Sequence, residues 1–218
     1  MMLDPVFLVA FVPVLLFSLT FHEFAHAWSA WRLGDPTAAA MGRLTLNPLR
    51  HLDIFGVLVL FMSGFRFGWA KPVPVNIYNF RDPKYGLFVT SAAGPSSNLL
   101  LALGCGIVLR VLGPGALGEA TGFAGAAYNV LLMGLIMNLS LAFFNLIPIP
   151  PLDGSGILLG LAPPQWEATL LKFRQVGPLF LFGLIAMGFV VGFSPLSLVI
   201  GPLVRFFAQL FAGISLVG

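Results

Sequence analysis

The 218-residue chain is 58% hydrophobic and only 9% charged, where soluble domains carry about 25% charged residues. No soluble fold of this size hides that much apolar surface, so the solvent is a lipid bilayer. Eleven Lys and Arg against eight Asp and Glu give a net charge of +3. With no basic cluster interleaved with aromatics, that charge speaks to loop orientation and not to nucleic acid.

Residues 5–33 read as a first transmembrane helix ended by Gly34-Asp35-Pro36. Asp4 stands where a secretory leader would carry basic residues, so the segment reads as retained. Residues 38–84 change character. "MGRLTLNPL" and "KPVPVNIYNF" alternate and contain prolines, which predicts short strands or extended loops. Between them "IFGVLVLFMSGF" (54–65) is apolar but short, and runs of about 10–14 residues tend to re-enter and not to span. Further spans are expected at 86–111, 124–147, 176–193 and 196–213, with a short amphipathic piece at 154–161. The prediction is an all-α polytopic membrane protein. It is a bundle of five to six transmembrane segments with a small extended or β element after the first helix.

Charge arbitrates the doubtful segment. Seven of the eleven basic residues, Arg32, Arg43, Arg50, Arg66, Lys71, Arg81 and Lys84, lie between 32 and 84. A re-entrant 54–65 leaves all seven on one side, as the positive-inside rule prefers. The expected topology has an outside N-terminus and a cytoplasmic 32–84 region. Cys105 is the single cysteine, so no internal disulfide can form, and it reads as a small packing residue. "NLS" at 138–140 matches a glycosylation acceptor but lies inside a span and is set aside.

"FHEFAHAW" (21–28) places three ionisable groups where a membrane helix wants apolar side chains. Positions i and i+4 share a helix face, so His22 and His26 are able to bind one zinc, with Glu23 beside them in reach of a water on that metal. Ionisable residues within spans are expensive and mark functional sites. A hydrolytic zinc takes a third protein ligand and leaves one position open. His51 is one candidate for that ligand. Asp153 is favoured because "NLIPIPPLDGSG" (145–156) ends a span with three prolines and holds a carboxylate on irregular backbone, which is tolerated at membrane depth only beside protein or water. The competing reading makes Asp153 the N-cap of the helix that follows. Asn98, in "AGPSSN" (93–98), is a candidate oxyanion donor or clamp on the substrate backbone. It equally suits a residue that satisfies carbonyls freed near Pro95.

Taken together, "HEFAH" on a first membrane helix, "AGPSSN" opening the next span and "NLIPIPPLDG" before a short helix resemble the site-2 protease family of intramembrane zinc metalloproteases. The surrounding "GRLTLNPLRHLD" and "GWAKPVPVN" look like its compact bacterial and archaeal branch, without PDZ or CBS domains. The resemblance implies one Zn2+ per chain on His22, His26 and Asp153, with Glu23 as catalytic base. It implies an endopeptidase acting in or near the membrane segments of single-span proteins. The expected organisation is one domain, 1–218, with a catalytic core to 165 and accessory helices over 166–218. A metal transporter or scaffold built on the same His/Asp site is the competing class. It predicts further ionisable residues along a path through the membrane, and here they concentrate at one site.

Overall fold

The computed structural model describes residues 5–65, 67–113, 122–190, 192 and 194–216. Asp4 and Arg66, which figure in the sequence reading, lie outside the described residues. Among the described residues, five helices are long and apolar enough to cross a membrane: α1 (Pro5–Arg32), α4 (Pro83–Leu112), α5 (Gly122–Asn145), α7 (Pro164–Val190) and α8 (Pro195–Ala212). Three shorter helices join them: α2 (Thr37–Ala40), α3 (Ile54–Met62) and α6 (Asp153–Leu161).

The spans are longer than the apolar runs that announce them. Asp82 caps α4 by accepting from the Lys84 and Tyr85 amides, and Pro83 occupies the first helical turn, where its missing N–H costs nothing. That starts α4 three residues before the apolar run. Helix α7 begins at Pro164, a dozen residues early, because a charged amphipathic turn precedes its apolar part. There Glu167 pairs with Lys84 at 2.8 Å and ties α7 to the start of α4.

At nine residues and about 1.5 Å each, α3 is only about half as long as a ~30 Å hydrocarbon core is thick. Its two ends return to each other. Leu52 and Ala70 form an antiparallel bridge, and the Lys71 amide donates to His51 O at 2.8 Å. The segment is therefore re-entrant. Asp53 starts it by accepting from the Gly56 amide, and Gly64 with Phe65 (φ 63°) turns the chain back.

The expected β element does not form. Among the described residues the only strand-like pairing is the Leu52–Ala70 bridge. Pro48, Pro72 and Pro74 have no N–H for a ladder, and Asn47 and Asn76 instead cap single 3-10 turns at Pro48–Arg50 and Ile77–Asn79. Residues 67–76 form an irregular strap bonded to Glu23 and Asp35.

Helix α4 is the hub and packs against α1, α5, α6 and α8. In lipid no hydrophobic force drives helices together, so close approach of small residues carries the packing. Ala102, Ala208 and Ala212 accordingly sit with Leu109, Leu135, Leu139 and Phe143 in the core shared by α4, α5 and α8. The outward faces carry large apolar side chains such as Val111, Leu179 and Val190, as a lipid contact surface requires.

Candidate metal centre

His22 and His26 lie one turn apart on α1, both about nine-tenths buried, with their Nε2 atoms 3.1 Å from each other. Asp153 reaches the same point from the first turn of α6. Its Oδ2 is 3.1 Å from His22 Nε2 and its Oδ1 is 3.3 Å from His26 Nε2. Asp153 does not cap α6. Leu152 is the N-cap residue and no side-chain cap bond is made there.

The proline-rich turn at 148–151 and Gly154 bring the carboxylate into place. A Cβ at Gly154 would lie 2.3 Å from Leu146 O and 2.5 Å from Ile147 O, so only glycine lets α6 start against the end of α5.

The tautomers of both imidazoles follow from their other nitrogens. His26 Nδ1 is 2.7 Å from Thr90 O, which can only accept, so Nδ1 carries the proton. His22 Nδ1 is 2.7 Å from Asn98 Oδ1. The amide orientation of Asn98 is set in turn, because its Nδ2 donates to Ser18 O at 3.3 Å and to Asn138 Oδ1 at 2.8 Å. Asn138 Nδ2 donates to Gly134 O and Ser18 Oγ, both at 2.9 Å. A chain of hydrogen bonds thus runs from a carbonyl of α5 to His22, and it leaves the Nε2 lone pairs of both histidines bare.

With neutral imidazoles, two nitrogen lone pairs and a carboxylate converge, and Asp153 Oδ2 is buried without a hydrogen-bond donor. Such a set needs a positive charge between its members, which a metal ion or a proton on an imidazole supplies. The edge of a tetrahedron with arms of 2.0–2.1 Å is about 3.3–3.4 Å, close to the 3.1 Å between the two nitrogens and to the 3.1 and 3.3 Å from each to one of the two carboxylate oxygens. The donor set and its spacing fit zinc. The imidazoles also have the outer hydrogen bonds, to a carbonyl and to an amide oxygen, that orient metal-binding histidines.

Glu23, buried beside His22, accepts from the Val73 amide of the strap at 3.0 Å through Oε2. Residues 72–74 read Pro-Val-Pro, so this is the only N–H they possess. The strap is fixed on both sides of that bond. Arg43 Nη2 donates to Lys71 O, and Asp35 accepts from the Asn76 amide and Asn79 Nδ2, each at 2.7 Å. Asp35 is completely buried. Burial pushes its carboxyl up, but the hydrogen bonds from Thr37, Asn79 and Asn76 outweigh this and hold it below the usual carboxylate range.

A cavity of about 490 Å³ opens over these groups. It is lined by His22, Glu23, His26 and Asp153, by Val73 of the strap, and by Leu181, Phe182 and Ile185 of α7. Asn98 does not line it. It is fully buried, with its oxygen and its amide nitrogen both engaged, and so has no atom free for an oxyanion or a substrate backbone. His51 is not with the metal set either. It is buried under the strap, with Nε2 2.8 Å from Thr45 O.

Three residues that the sequence reading does not single out belong to the site. Thr90 supplies the carbonyl for His26. Asn138 orients Asn98. Gly94 presses on the imidazoles so closely that a Cβ would lie 2.4 Å from His26 Nε2 and 2.7 Å from His22 Nε2. Gly94 lies in the "AGPSSN" motif beside Pro95 and Asn138 heads the "NLS" match, but neither motif shows these contacts.

Residues 10–183 match the model of peptidase family M50. Relatives designated "putative zinc metalloprotease" include YwhC of Bacillus subtilis, 40% identical over 76% of this chain and 75% of its own. Rip2 of Mycolicibacterium smegmatis is 33% identical over 74% of this chain and 61% of its own length. MJ0611 of Methanocaldococcus jannaschii is 31% identical over 47% of this chain and half of its own. No solved structure matches. A multi-pass helical membrane protein with a donor set fit for zinc, matched to this family over most of its length, the chain is a metalloprotease of peptidase family M50, the site-2 protease family that its motifs resemble.

Proposed function

We propose that the chain is an intramembrane endopeptidase that cuts single-span membrane proteins within or near their membrane segment. One zinc would be held by His22, His26 and Asp153. The observation that carries this reading is the convergence of two imidazoles and a carboxylate beside the buried Glu23, inside a cavity built from membrane helices. When bound, zinc supplies Lewis acidity that brings the pKa of a water toward neutral and polarises the scissile carbonyl. Glu23 is the general base. Val73 fixes one of its oxygens, and the other takes the proton from the attacking water and passes it to the leaving amine. Asn98 and Thr90 hold the imidazoles in the tautomer that leaves Nε2 free.

One domain spans 1–218. Its catalytic core runs to 165, and the accessory helices of 166–218 wall the cavity through Leu181, Phe182 and Ile185. His26 stands about 9 Å along α1 from Arg32, beyond which the basic residues cluster. The positive-inside rule puts that end, and so the site, near the cytoplasmic leaflet of the cell membrane.

The test is Glu23→Gln in proteoliposomes that hold a single-span reporter. Cleavage is expected to fall by at least ~100-fold, the scale of general-base catalysis, with zinc retained. A transporter or scaffold needs no such carboxylate, and undiminished cleavage by Glu23→Gln would exclude this mechanism.

A further inference from the structure

A second chamber of about 460 Å³ adjoins the metal-site cavity. Leu19, Phe67, Gly68, Trp69, Leu141 and Phe144 line both, so the two meet across these residues. The far end of the second chamber is set on α1 by Phe11, Val12 and Leu15. At 1.5 Å per residue these sit roughly 10–17 Å along α1 from His22, on the side away from Arg32. The chamber therefore leads from the metal site into the depth of the bilayer. A membrane span cut at the metal site has its remaining apolar residues on that side.

Its chemistry is as one-sided as its position. No described residue that lines it carries a charge, and the hydroxyl of Ser140 is spent on Ile136 O at 2.8 Å. Unwound backbone would find few partners there, and in a dry chamber each unpaired amide is costly. A cavity of about 150 Å³ accommodates a benzene, so this one suits two or three large side chains.

We propose that the chamber is a side-chain subsite. It takes large apolar residues, Leu or Phe, from one face of the still-helical part of the substrate, deeper in the bilayer than the scissile bond. This rests on the protease reading above and names a specificity within it. Lipid tails are as apolar as Leu, so the discrimination comes from packing and not from removal of water. The expected preference for a filled over a truncated side chain is thus modest, about tenfold in kcat/KM.

The experiment compares two single-span substrates in liposomes, with Phe or Ala at three positions on the deep side of the cut. Wild type should prefer Phe about tenfold, and Val12→Trp, which fills the chamber from α1, should reduce that ratio to about two or less while zinc is retained. Cleavage with no Phe preference, or a preference that Val12→Trp leaves intact, overturns the subsite. Failure of wild type to cut any anchor would instead sink the protease reading. If Val12→Trp loses zinc or fails to fold, a benzophenone amino acid at Leu16 in full-length Glu23→Gln decides. Adducts to the deep residues of the substrate support the subsite, and adducts to lipid alone, or none, overturn it.

Discussion

His22, Glu23 and His26 are readable from a single helix turn, because i and i+4 share a face whatever the rest of the fold does. Gly94 and Asn138 are not. Their roles exist only once α4 and α5 lie against α1, 68 or more residues away in sequence. The Asn98 network is too weak to be there for stability, since side-chain hydrogen bonds between membrane helices average only about 0.6 kcal/mol. Its effect is on the metal. Asn98→Leu is expected to weaken zinc binding about 10–100-fold, read by competition with a chelator, with little loss of thermal stability. An unchanged affinity would mean that His22 is oriented by something else. Gly94→Ala should remove zinc almost completely, because its methyl must displace the His26 imidazole, which Thr90 O holds in place.

The strap and the re-entrant helix show where pattern reading meets its limit. Proline content argues correctly against a central strand. It does not tell that the one amide left between Pro72 and Pro74 goes to Glu23, a contact spanning 50 residues. Close approach of α3 and the strap depends on Gly56, where a Cβ would lie 2.1 Å from Trp69 O. Gly56→Ala must push the strap away, since the obstacle is backbone. It should lower cleavage by up to ~100-fold, the order lost when a catalytic group is misplaced by an ångström, with zinc content unchanged. Loss of zinc together with activity would show instead that the strap supports the ligands.

The other end of the strap is tied to a carboxylate whose pKa is depressed. The stabilisation from Asp35 is therefore fully present above its unfolded value of about 3.9 and is lost as pH falls through the lower folded value. Protection of the Val73 amide, its exchange relative to the intrinsic rate at the same pH, should fall below about pH 4 in wild type. In Asp35→Asn that protection should be low already at neutral pH and should change little with acid. An acid response that survives in Asp35→Asn would place the titrating group elsewhere.

For the molecule as a whole, the class of solvent, the order of spans and the re-entrant dip follow from composition, apolar runs and the placement of basic residues. The long reach of α7 to Pro164 and its place over the metal cavity do not, because its first turns are amphipathic and its partners lie in α6, α8 and the strap. Assembly of the site then needs three distant segments at once: α1 for the histidines, α4 for their outer hydrogen bonds, and the turn into α6 for Asp153. Zinc stoichiometry by elemental analysis of purified wild type, His22→Ala, His26→Ala and Asp153→Ala tests that assembly most directly. About one zinc per wild-type chain and loss in all three variants is the predicted result. Zinc retained in Asp153→Ala, or absent from wild type, would contradict the three-residue centre.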